Sequence, residues 1–125
     1  MALCIATAAG LSRLAIAAFT LAWTHSVEKS RWEEDWIVER GLLTIVEARV
    51  EGSGAGMEPG EGALFDGRYW RWRPQVAPLR ELVLSHSRAV SQDWTLCALA
   101  GNAQECIRLG VGGDGDVFRL APCPP

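Results

Sequence analysis

The sequence predicts an all-β fold, a single-domain antiparallel β-sandwich or a partly closed small barrel. Three observations carry that expectation. Apolar runs of strand length recur at close spacing, the stretches between them are rich in Gly and Pro, and no window sustains a helical apolar face over three turns. The 125 residues contain no linker, repeat or low-complexity segment, so 1–125 is read as one domain able to bury its own core. With 12 basic and 15 acidic residues the net charge is −3, and no basic field points to nucleic acid. Six tryptophans in so short a chain predict an interior dominated by aromatic burial.

Residues 1–23 carry one charge, Arg13, and could be taken for a membrane span. An arginine in mid-span costs about 2.5–3.5 kcal/mol on insertion scales. "AAGLSRLA" also sets Gly, Ser and Arg where a turn fits, and the basic start and cleavage site of a secretory signal are not seen. Two strands, 2–8 and 14–26, are expected instead. Further strands are expected at "LLTIVEARVE" (42–51), "YWRWR" (69–73), "ELVLSHS" (81–87), "WTLCALA" (94–100), "ECIRLG" (105–110) and "VFRLA" (117–121). The intervening "EGSGAGMEPGEG", "RPQVAP" and "GVGGDGD" read as loops.

The stretch "TLAWTHSVEKSRWEEDW" (20–36) reads as a hairpin. A strand over 19–27 folds back on 31–40 through a two-residue turn at Lys29 and Ser30, or a four-residue loop in the same register. Trp23 then opposes Trp36, His25 opposes Glu34 and Val27 opposes Trp32 on one face. Thr24 opposes Asp35, Ser26 opposes Glu33 and Glu28 opposes Arg31 on the other. An odd loop is rejected because it would set Trp23 against Asp35.

In that register His25 and Glu34 meet between tryptophans. Burial raises a lone carboxyl's pKa and a neighbouring imidazolium opposes the shift, so the two are expected to pair. The pair fits three roles: a hydrogen-bonded lock on sheet register, part of a ligand site, or a general base with its orienting acid.

These residues carry a resemblance. "FTLAWTHSVEKSRWEEDWIV" followed by "GSGAGMEP" resembles the small bacterial family known as domain of unknown function 1850, whose pattern falls here on His25, Ser26, Val27, Glu34, Gly54, Ala55 and Gly56. Members of that family are associated with TRAP transporters of the TAXI type, which import organic acids. The resemblance implies a transport-associated accessory or small-ligand-binding protein, with a TAXI-type transporter component and a small organic acid as partners. The candidate ligand-binding residues are Trp23, His25, Ser26, Glu34, Trp36, Gly54, Ala55 and Gly56. The three glycines of "GSGAG" suit a tight corner or a nest of amides facing an anion. Folded over the His25 and Glu34 face, that loop would complete one pocket. The alternative is a small hydrolase-like or metal-assisted enzyme using His25 and Glu34, although the residues lean against catalysis.

Other motifs say less. "RYWRWR" interleaves arginines with aromatics, yet alternation sends Trp70 and Trp72 to one side and Tyr69, Arg71 and Arg73 to the other, as in an ordinary strand. "GGDGD" (112–116) is read as a hairpin loop, and His86 as structural or exposed. "LSHS" lacks the glycines of a nucleophile elbow. Cys4, Cys97, Cys106 and Cys123 lack the spacing of a zinc ribbon, and neither metal nor cofactor is expected. Cys97 and Cys106 could meet across a hairpin, and Cys4 and Cys123 if the first and last strands pair. Two disulfides would suit the periplasm or cell envelope, and four thiols the cytoplasm. A monomer or small homo-oligomer that does not bind nucleic acid is expected.

Overall fold

A computed structural model describes residues 2–7, 10–24, 30–52, 59–85, 94–99, 105–109 and 117–124. The strands among them are β1 (Ala2–Thr7), β2 (Gly10–Leu14), β3 (Ala18–Thr24), β4 (Arg31–Glu39), β5 (Leu42–Glu51), β6 (Leu64–Phe65), β7 (Tyr69–Trp72), β8 (Leu82–Ser85), β9 (Trp94–Ala98), β10 (Cys106–Leu109) and β11 (Val117–Cys123). They form two antiparallel sheets, one in the order β2-β1-β11-β8 and one in the order β10-β9-β3-β4-β5-β7-β6. The sheets pack face to face without closing on each other, so of the two expected architectures the chain adopts the sandwich. Among the described residues no helix is long and apolar enough to cross a membrane.

Alternation builds the core. Leu3 and Ile5 of β1, Phe118 and Leu120 of β11 and Leu84 of β8 point inward from the smaller sheet. Phe19, Leu21, Trp36, Val38, Leu43, Ile45 and Leu96 meet them from the larger one. Along β5 the inward set changes phase, from Leu43 and Ile45 to Ala48 and Val50. The ladder with β4 accounts for it: Asp35 opposes Glu47 while Trp36 opposes Ile45, leaving Val46 as a bulge. After that bulge Glu47 and Arg49 share the outer face with Asp35 and Glu33.

The N-terminal region differs from expectation. "GLSRL", expected to hold a turn, is strand β2, paired with β1 from Leu3↔Leu14 to Thr7↔Gly10. Leu14 packs against the core, while the rest of the strand is exposed, so an edge strand with one inward apolar residue carries too faint an alternation to read. The β4–β5 hairpin closes through Arg40 and Gly41, with φ of 54° and 72°. Positive φ at both central residues is the primed-turn geometry that matches strand twist. Disulfides join Cys4 of β1 to Cys123 of β11 and Cys97 of β9 to Cys106 of β10, with Cα separations of 5.8 and 4.0 Å.

Candidate functional site

The hairpin expected over 20–36 forms, but in another register. Trp23 opposes Trp32, Leu21 opposes Glu34 and Phe19 opposes Trp36. Opposed numbers therefore sum to 55, not 59, and Thr24↔Arg31 is the last described pair. Thus Trp23 does not oppose Trp36, and the β3 residue facing Glu34 is Leu21, not His25. A shift of four residues leaves every side chain on its own face, so alternation could exclude odd offsets but not separate even ones. Contacts across the sheet decide between them. Phe19 and Trp36 fill the centre of the core, Trp23 stacks on Trp32 with centroids 6.2 Å apart, and Thr20 Oγ1 donates to Asp35 at 2.7 Å. His25, Ser26, Val27, Gly54, Ala55, Gly56 and His86, and the stretch 112–116, lie outside the described residues.

The topology shows where those stretches attach. β3 ends at Thr24 and β4 begins at Arg31, while β5 runs back beside β4 so that Val50 opposes Trp32. Thr24 and Arg31, which flank residues 25–29, and Gly52, which precedes residues 53–58, therefore lie at one end of the larger sheet. Trp94, which opens β9, belongs to that end too, because Thr95 pairs with Ala22 and the Trp94 Nε1 donates to the Ser85 carbonyl at 3.3 Å. The stretch 86–93 connects those two residues. The inner face here is tiled by indoles. Trp23 lies between Trp32 and Trp94, 4.8 Å from the latter, and Trp32 meets Trp72 edge-on at 6.2 Å. Gly60 lies flat on the Trp72 indole, where any Cβ would overlap the ring.

Glu34 belongs to this inward face, between Trp32 and Trp36. Its Oε1 accepts a hydrogen bond from Trp36 Nε1 at 3.1 Å. Burial pushes its carboxyl above the ordinary value, and the indole donor offsets only part of that rise. A half-buried carboxyl beside a tryptophan floor, at the end where the motif-bearing stretches attach, can donate or accept a hydrogen bond as its protonation changes.

Glu33 and Asp35, expected on the polar face, are there, and the residue that organises them was not singled out in the sequence. Arg49 of β5 donates from Nε to Glu33 at 2.7 Å and from Nη1 to Asp35 at 2.8 Å and Glu47 at 3.1 Å. Its side chain is only 12% exposed. Burial alone would lower its pKa, but the bonds to Asp35 and Glu33 more than reverse that. Burial likewise raises Glu33, and hydrogen bonds from Arg31 at 2.6 Å and from Arg49 bring it below the ordinary carboxylate value. Together with Thr20, Ala22 and Leu99 these groups line a shallow depression of about 220 Å³. Its charges satisfy one another, which marks it as a lattice holding β4 to β5. The phase change at Val46 was the signal in the sequence that could have placed Arg49 opposite Glu33.

Tyr69 and Arg71 extend this charged face, as alternation along "RYWRWR" required, with Trp70 and Trp72 on the other side. Arg71 bonds Asp66 at 2.5 Å and Glu47 at 2.6 Å. Backbone amides of Tyr69 and Arg68 at 2.7 and 2.9 Å, with Arg71, hold Asp66 well below the carboxylate range. Among the described residues no group of three His, Cys, Asp or Glu could hold a metal ion.

Comparison with known proteins gives one match. The family model described as Domain of unknown function (DUF1850) matches residues 19–109, from the first core residue of β3 to the end of β10. No curated protein and no solved structure matches.

Proposed function

From the premise that this chain belongs to the DUF1850 family of domains of unknown function, we propose that it is a transport-associated accessory protein that binds a small organic acid for a TAXI-type TRAP transporter. One observation carries the binding part: Thr24, Arg31 and Gly52, the described neighbours of the stretches bearing His25, Ser26 and Gly54 to Gly56, lie at the end floored by Trp23, Trp32, Trp72 and Trp94, beside Glu34. Rigid indoles offer contact area at little conformational cost, and one ionisable group beside them supplies orientation. Family resemblance supplies the transporter and the class of ligand. The two disulfides favour an oxidising compartment, the periplasm or cell envelope, where such importers collect their substrates.

Thermal unfolding against a panel of short mono- and dicarboxylates tests the reading. At 100 times its dissociation constant a bound acid adds about 2.7 kcal/mol to stability, and Trp23→Ala is expected to abolish that gain while the protein still folds. A panel with no effect on melting, and no recovery of transporter subunits with the tagged protein from detergent extracts, would sink the proposal. Hydrolysis of panel esters or amides that disappears in a folded Glu34→Gln variant would favour the enzyme instead. Cell fractionation with thiol counting checks the compartment, and four free thiols in the native protein would exclude the oxidised form.

A further inference from the structure

The charged outer face ends in a groove where one arginine has no partner among the described residues. The β6–β7 ladder stops at Leu64↔Arg71, so Trp72 and Arg73 continue past the last residue of the edge strand. The turn from Gly60 to Ala63, closed by a 3.2 Å backbone hydrogen bond and with Gly62 at φ +77°, forms the far wall. The resulting groove of about 310 Å³ has Val46 and Glu47 at its base, and Leu64, Trp72, Arg71 and Arg73 around it. Arg71 is anchored by Asp66 and Glu47, and Glu47 is bonded by both Arg71 and Arg49. The one acid in the groove is therefore already matched by two guanidinium groups. Arg73 is exposed and has no hydrogen-bond or ion-pair partner among the described residues. Leu64 beside it is 76% exposed, an apolar wall facing water.

We propose that this groove is a binding site for a small carboxylate with an apolar body, its carboxylate held by the Arg73 fork and its hydrocarbon laid against Leu64 and Val46. A planar guanidinium whose donors meet no described residue matches the two oxygens of a carboxylate. The groove is at the small end of the range of small-ligand pockets, and it sets the apolar Val46 and Leu64 beside the guanidinium groups of Arg71 and Arg73. The site lies on the outer face and edge of the sheet, whereas Glu34 faces inward. It stands whether or not the tryptophan end binds anything.

The test is a titration of the full-length protein with sodium butyrate at constant ionic strength, followed by the backbone amides of the groove in a nitrogen–proton spectrum, with the six indole N–H resonances reporting the tryptophan end. The expected result is a saturable shift of the Leu64 and Arg73 amides, with the indole of Trp23 unmoved. In Arg73→Gln, affinity should fall about tenfold or more, as for loss of a charge-assisted hydrogen bond, with melting unchanged because Arg73 bonds no other described residue. Arg73→Lys keeps the charge, loses the fork and should also bind more weakly. Leu64→Ala should remove the advantage of butyrate over formate. Shifts that only track added chloride, equal binding by Arg73→Gln, equal competition by inorganic phosphate, or binding of butylamine in place of butyrate would each overturn the proposal. Glu34→Gln keeps the groove intact, so a butyrate response lost only in that variant would place the ligand at the tryptophan end and reject the groove.

Discussion

Glu34 is the residue that fits its surroundings least well. It faces the core side among tryptophans, and the one hydrogen bond it receives from Trp36 does not offset its burial. Its folded pKa therefore lies above its unfolded value, so folding takes up a proton near that pH and stability falls as pH rises through the folded value. Glu34→Gln keeps the shape and the acceptor oxygen while removing the charge. The expected outcome is a higher melting temperature at pH 7, with the gain disappearing below the ordinary value of 4.5, where both states are protonated. Parallel thermal melts at pH 7 and pH 4 check this. Opposite in sign is Glu33, one position away on the outer face, where two arginines favour the charged form.

At the scale of elements, the β4–β5 hairpin carries the chemistry of both faces. Its bulge at Val46 moves Glu47 and Arg49 to the outer face in time to meet Asp35 and Glu33. Its turn is less well fitted, because Arg40 takes φ 54° with no glycine to relieve the backbone. Asparagine tolerates that region and precedes glycine in the favoured primed turn, so Arg40→Asn is expected to stabilise by about 0.5–1 kcal/mol. Arg40 is exposed and has no partner among the described residues, which leaves nothing to offset the gain. Denaturant unfolding at constant m-value measures it.

For the whole molecule, the two disulfides act over different spans. Cys4–Cys123 ties strands 119 residues apart in sequence, uniting the β1–β11 pair at the centre of the smaller sheet. Cys97–Cys106 closes a separation of 9 residues on the outer hairpin of the larger one. Loop-closure entropy gives about 5 kcal/mol for the first and about 3 for the second. Replacing each pair by alanines and comparing unfolding free energies should reproduce that order, and loss of the short-range bridge should leave the core strands β1, β3, β4, β5 and β11 protected from hydrogen exchange.

What the sequence determined by itself was everything set by side-chain period. Alternation identified the all-β class, which side chains of β3 and β4 share a face, and the split of "RYWRWR" between two faces, because a pleated strand has a period of two whatever it pairs with. Alternation is blind to even shifts, and so Trp23 opposite Trp36 and Trp23 opposite Trp32 looked alike until Phe19, Thr20 and Trp36 were seen in place. The same blindness hid β2, whose single inward residue leaves almost no period to detect. Only the tertiary structure decided which strands lie side by side, and hence that Arg49 would sit between Glu33 and Asp35, that four tryptophans would tile one end, and that Arg73 would be left without a partner among the described residues at the sheet's edge. Those outcomes depend on contacts between segments far apart in the chain, set by packing and register rather than by any local pattern.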